Sequence, residues 1–77
     1  MAQEIHLPKL GPTMKEGVIV AWLVAEGEQI REGQPLLQVE TDKAVTEIES
    51  PVSGRVSRIV ALKGQKVAVG DLLATVE

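Results

Sequence analysis

Few side chains in this chain could make or break a covalent bond. It contains no cysteine, so no disulfide, thiolate nucleophile or thiolate metal ligand is available. His6 is the only histidine, and with no second ligand or nucleophile near it in sequence it has no metal or catalytic assignment. Amines and carboxylates remain. Lys43 stands between Asp42 and Ala44, with Glu40, Glu47 and Glu49 close by, so a single amine is set among acids. A primary amine can take up an acyl group as an amide, but an exposed lysine amine is protonated near neutrality and is then no nucleophile. Any enzyme that acylates Lys43 must therefore supply the base. A lysine in a turn is ordinarily just a solvated charge, so the weight of the argument falls on the elements beneath it.

Seventy-seven residues make one small domain, of a size that buries only about 60% of its unfolded surface and has no room for a deep catalytic pocket. The composition is 44% hydrophobic with one aromatic, Trp22. The core must therefore be built from Val, Ile, Leu and Ala, which pack as thin layers and favour a compact all-β domain. Trp22 lies in the middle of the apolar run Val18–Val24, a packing position rather than a stacking platform. A net charge of −3 and a pI near 5.1 leave no basic footprint for nucleic acid. Apolar runs such as 18–25 are too short to span a bilayer, and the N-terminus lacks the pattern of a signal peptide. The expectation is a soluble, intracellular chain with no nucleic-acid or membrane partner.

Glycines at 11, 17, 27, 33, 54, 64 and 70 and prolines at 8, 12, 35 and 51 cut the chain into pieces of strand length. Only 36–50 is free of both over a helical length. As a helix, it would align Leu37, Thr41, Ala44, Val45 and Ile48 on one face. As two strands folded at Asp42-Lys43, it pairs Leu37 with Ile48, Val39 with Thr46 and Thr41 with Ala44 on one face, and Gln38 with Glu47 and Glu40 with Val45 on the other. The hairpin separates apolar from polar at least as well, and Val, Thr and Ile suit strands. Against it, Asp-Lys lacks the glycine that primed two-residue turns prefer, and the turn type stays open.

An offset of 37 residues superimposes Gly17 on Gly54, Gly27 on Gly64, Gly33 on Gly70, Leu36 on Leu73, Val39 on Val76 and Glu40 on Glu77, with apolar matches such as Ile19/Val56, Trp22/Ile59 and Ile30/Val67 between them. Two copies are too few for a solenoid. Two halves that cannot bury their own faces close on each other as similar layers about a pseudo-twofold axis. Carried through the whole chain, the offset sets His6 opposite Lys43 and Glu4 opposite Thr41. It predicts termini side by side and the 40–44 segment at the symmetry-related, opposite end.

Glu40-Thr41-Asp42-Lys43-Ala44, followed by Glu49-Ser50-Pro51-Val52-Ser53-Gly54, resembles the lipoyl-lysine signature of 2-oxo acid dehydrogenase complexes. Pro8–Gly17 and Trp22–Glu28 resemble the lipoyl domains of dihydrolipoamide acetyltransferases, so the likeness covers essentially all of 1–77 as one lipoyl domain. It implies a barrel-sandwich hybrid, a flattened barrel of two four-stranded antiparallel sheets with pseudo-twofold symmetry. It also implies lipoic acid bound covalently to Lys43. Glu40, Asp42, Ala44, Gly27 and Gly54 match positions associated with recognition by the lipoylating enzyme, although Gly27 and Gly54 read equally well as turn glycines with positive φ.

On this resemblance the chain is a carrier and not an enzyme by itself. Lipoate ligase or lipoyl transferase would load it. A thiamine-diphosphate 2-oxo acid dehydrogenase would reductively acylate the arm, an acyltransferase catalytic domain would pass the acyl group to coenzyme A, and dihydrolipoamide dehydrogenase would reoxidise it. Lysine stem and lipoyl chain together reach about 10–15 Å. Attachment takes the formal net charge from −3 to −4 by removing one positive charge. Residues 10–16, shaped by Pro12, are expected to assist the partner dehydrogenase, while Glu26/Glu28 and Lys63/Lys66 read as solvated loop charges.

Three rivals stand beside this reading. A biotinyl carrier shares the fold but flanks its lysine with methionine, unlike Asp42 and Ala44. The lipoylated carrier of glycine cleavage is longer, with a different sequence around its lysine. The third is an unmodified adaptor that only binds proteins. The Pro8–Gly17 opening leans toward a pyruvate or acetoin complex, and the lack of a transit peptide before Met1 points to bacterial cytoplasm, with the mitochondrial matrix as the alternative for an excised domain.

Overall fold

The computed structural model describes residues 2–77. Eight strands follow one another: β1 (Gln3–His6), β2 (Glu16–Trp22), β3 (Gln29–Ile30), β4 (Pro35–Glu40), β5 (Val45–Glu49), β6 (Gly54–Ile59), β7 (Lys66–Ala68) and β8 (Leu72–Val76). They form two four-stranded antiparallel sheets, ordered β1-β8-β6-β3 and β5-β4-β2-β7. Each sheet draws two strands from each half of the chain. Every turn but one carries the chain across to the other sheet. The exception is β4–β5, the only hairpin of sequence neighbours among the described residues.

Alternation drives this arrangement. Along β4, Leu37 and Val39 point inward while Gln38 is half-buried and Glu40 exposed; along β5, Ile48 is buried between exposed Glu47 and Glu49. The two inner faces meet in one aliphatic core that includes Ile19, Ile30, Leu36, Leu37, Val56 and Leu73. Each such side chain contributes about 1.5–3 kcal/mol by leaving water. Trp22 packs against the edge of that core, and its indole Nε1–H donates to the Ala61 carbonyl at 2.7 Å, which ties one sheet's connection to the other.

The pseudo-twofold extends to the hydrogen bonds. The Gly27 N–H donates to Val56 O and the Val56 N–H to Glu28 O; 37 residues away, Gly64 N–H donates to Ile19 O and Ile19 N–H to Gln65 O, all at 2.7–2.9 Å. The offset holds from Gly17 onward but not at the N-terminus. Glu4 faces Thr75 as Glu47 faces Gln38, Ile5 faces Ala74 as Ile48 faces Leu37, and His6 faces Leu72 across a bulge as Glu49 faces Pro35. The mate of His6 is therefore Glu49, not Lys43, and that of Glu4 is Glu47, not Thr41. Ten residues separate His6 from Gly17, whereas four separate Glu49 from Gly54, and the six extra lie in the β1–β2 loop. A fixed offset cannot cross such an insertion.

The terminal strands are neighbours as expected, with Gln3 paired to Val76. Three of the four expected loop charges are more than solvated: a carboxylate oxygen of Glu26 accepts the Ile59 N–H at 2.8 Å and so occupies a donor at the end of β6, Glu28 Oε1 accepts the Ala25 N–H at 3.3 Å, and Lys66 begins β7 and pairs with Glu16 at 3.0 Å.

Candidate functional site

The register of the β4–β5 hairpin is Leu37 to Ile48, Gln38 to Glu47, Val39 to Thr46 and Glu40 to Val45, so 36–50 is paired strand and not helix. It leaves Asp42 and Lys43 as the two residues of the turn, both exposed. The Thr41 N–H donates to Ala44 O at 2.9 Å and closes the tip. No non-glycine residue among those described has positive φ. Both primed turns require it, so this tip is neither type I′ nor type II′.

Lys43 reaches into solvent. The two ion pairs among the described residues, Glu4–His6 and Glu16–Lys66, both leave it out. Glu40 and Glu47 sit on the hairpin's outer face and Asp42 precedes the lysine in the turn. A free amine on a paired-strand support, with carboxylates at fixed offsets, suits covalent acylation by an enzyme that brings its own base. Among the described residues no group of three or more His, Cys, Asp or Glu is arranged to hold a metal ion.

The long β1–β2 loop folds against the tip. A turn with the Met14 N–H on Gly11 O at 3.2 Å shapes it, and the Leu10 N–H points at the Met14 sulfur, also at 3.2 Å. Two grooves flank the tip. One of about 330 Å³ runs from Met14, Gly17 and Val18 to Glu40 and Asp42; another of about 180 Å³ runs from Leu10, Pro12 and Met14 to Lys43 and Ala44. Thr41 lines both.

Glu40, Asp42 and Ala44 thus gather around Lys43. Gly27 and Gly54 lie elsewhere. Gly27 has φ +89° in the β2–β3 connection, and Gly54 starts β6, where an added Cβ would lie 2.6 Å from Glu77 O. Both positions have a backbone reason to be glycine. His6 lies on β1, in the sheet that does not carry the lysine hairpin: one ring nitrogen is 2.8 Å from Gly70 O and the other 3.0 Å from a Glu4 carboxylate oxygen, and these bonds raise its pKa, the Gly70 carbonyl contributing most. The residue that sequence reasoning missed is Thr41. Its hydroxyl donates to Ala44 O at 3.1 Å and lies 3.4 Å from the N–H groups of Lys43 and Ala44. The available signal was the tendency of Ser and Thr to bond nearby backbone at turns.

Residues 3–76 match the biotin and lipoyl family described as biotin-requiring enzymes. The chain is 40% identical over 75 residues to the dihydrolipoyllysine-residue acetyltransferase component of the pyruvate dehydrogenase complex of Zymomonas mobilis, covering 96% of this chain and 17% of that protein. It is 47% identical over 77 residues to the mitochondrial dihydrolipoyllysine-residue acetyltransferase component 3 of the pyruvate dehydrogenase complex of Arabidopsis thaliana, covering 97% of this chain and 14% of that one. The chain thus spans less than a fifth of the length of these curated relatives. Among solved structures it resembles the lipoyl domain of the 2-oxoglutarate dehydrogenase complex from Azotobacter vinelandii, with a TM-score of 0.76 and 27% identity over 96% of this chain and 94% of that one.

Proposed function

The chain belongs to the biotin and lipoyl attachment family, and from that premise we propose that residues 1–77 form a swinging-arm carrier domain that accepts lipoic acid on Lys43. The observation that carries the reading is the hairpin tip: an exposed lysine that, among the described residues, has no ion-pair partner and is held by the only strand pair of sequence neighbours. The Asp42 and Ala44 flanks favour lipoate over biotin.

Attachment would form an amide between Lys43 Nζ and the lipoyl carboxyl carbon. The nitrogen yields a proton to a base on the modifying enzyme, a lipoate ligase or lipoyl transferase, and the group activating the carboxyl departs. Glu40, Asp42 and Ala44 lie where that enzyme would read the site. Once attached, the dithiolane would supply redox and acyl-carrying chemistry for a 2-oxo acid dehydrogenase complex, of pyruvate or acetoin type. This chain's residues hold the arm's root at the end of the sheet and leave Glu40 and Asp42 beside a neutral tether. The β1–β2 loop, level with the root, is the surface offered to the partner dehydrogenase.

Intact mass after expression with lipoate tests the reading. A gain of one lipoyl group is expected, absent from Lys43→Ala. A gain of biotin, or no gain with a competent ligase present, would refute it.

A further inference from the structure

We propose that Thr41 is a positioning residue for the modification of Lys43: its hydroxyl fixes a glycine-free hairpin tip so that the lysine is presented in one backbone geometry. The inference rests on the carrier reading.

The tip poses a backbone problem. Two-residue hairpin loops match the strand twist when their central residues take positive φ, and unprimed turns splay the strands. Asp42 and Lys43 both keep negative φ. With the Ala44 carbonyl already holding the Thr41 N–H, the amides of Lys43 and Ala44 are left to find partners near the tip.

One side chain serves all of these groups. The Thr41 hydroxyl donates to Ala44 O at 3.1 Å, which doubles the 2.9 Å bond from its own backbone, and its oxygen faces the Lys43 and Ala44 N–H groups at 3.4 Å. One donor hydrogen and two lone pairs match one acceptor and two donors. The side chain is half-buried where Asp42, Lys43 and Ala44 are exposed, and its β-branch restricts χ1. The Thr41 side chain is thus a local staple for the tip, and it stands at the root of both grooves. Rigidity is then confined to the backbone, and the amine stays free. An enzyme that must seat Lys43 meets Glu40 and Asp42 at fixed offsets from it. Without the hydroxyl, the tip would have to be ordered at the moment of binding, a cost that appears in KM and not in the chemical step.

The test compares Thr41→Val, which keeps the shape and removes the hydroxyl, with Thr41→Ser, which keeps the hydroxyl. Lipoate ligase kinetics with each folded domain as substrate should show kcat/KM for Thr41→Val down about tenfold, the loss of roughly one hydrogen bond's worth of order. The fall should lie in KM with kcat unchanged, and Thr41→Ser should stay within about twofold of wild type. Backbone NMR order parameters at Lys43 and Ala44 should drop in Thr41→Val, return in Thr41→Ser, and stay constant in the core strands. A mere loss of global stability would not produce that local pattern. Wild-type kcat/KM and order parameters in Thr41→Val overturn the proposal, as does a serine variant that fails to rescue. If wild type gains no lipoyl group, the carrier reading is what fails, and the order parameters alone then decide the role of the hydroxyl.

Discussion

Replacing Gly27 and Gly54 by alanine separates two reasons for a glycine. Both have positive φ, but their surroundings differ. At Gly27 a Cβ would meet nothing within 4 Å, so Gly27→Ala carries only the backbone penalty of the left-handed region, about 1–2 kcal/mol. At Gly54, φ is +155°, and the Cβ would sit 2.6 Å from Glu77 O and 2.8 Å from Val76 Cγ1. Backbone strain of about 1–3 kcal/mol is then joined by overpacking of about 1–3 kcal/mol, about 2–6 kcal/mol together. At about 0.05–0.15 kcal/mol per residue, a domain of this length holds only about 4–12 kcal/mol in total. Urea titration, followed by Trp22 fluorescence and by circular dichroism, measures both. With m near 1 kcal/mol/M, the midpoint should fall about 1–2 M for Gly27→Ala and about 2 M or more for Gly54→Ala. Lipoylation rates scaled to the folded fraction should match wild type in each. A Gly54→Ala midpoint as high as that of Gly27→Ala would refute the packing argument. A fully folded Gly27→Ala that escapes modification would refute the backbone explanation and make that glycine a contact of the modifying enzyme.

Other outcomes follow from the same geometry. His6 is bonded to Gly70 O and Glu4 and its folded pKa is raised. Its stabilising effect is therefore fully present below the unfolded value near 6.5 and lost as pH rises through the folded value. The stability gap between wild type and His6→Ala should be wider at pH 6 than at pH 8.5 in urea titrations, and an equal gap would count against the bond. Trp22→Phe leaves the Ala61 carbonyl without its indole donor and should cost about 1–3 kcal/mol by circular dichroism, whereas a neutral change would mean water replaces it. Leu36→Ala and Leu73→Ala, at symmetry-related and fully buried positions, should each cost about 2–5 kcal/mol in calorimetry. Differing costs would show that the halves pack unlike each other.

The hairpin register is legible in the sequence because a fold at Asp42-Lys43 sets Leu37 opposite Ile48 and Val39 opposite Thr46, and a one-residue slip would turn Ile48 outward. The closure of the turn is not. It rests on Thr41, whose N–H and hydroxyl both donate to Ala44 O, and turn rules written for the two central residues do not see position 41. The repeat is visible wherever glycines fix the offset, from Gly17 onward, and fails at His6 because the β1–β2 insertion shifts the frame with no residue to mark it. Gly54 needs three dimensions: its close neighbour, Glu77, is 23 residues away in sequence. The two-residue strand β3 is too short to show any alternation of its own.

The crossing of the chain between sheets has a kinetic consequence. The β4–β5 hairpin can zip locally, but β1 finds its hydrogen-bonding partner only in β8, and β3 and β7 find theirs in β6 and β2. Loop closure must come before almost every rewarding contact, which slows the search relative to a meander of equal length. Neither half can settle alone, since each half's strands are split between sheets completed by the other. The first strand of the domain waits, unpaired, for the last to arrive.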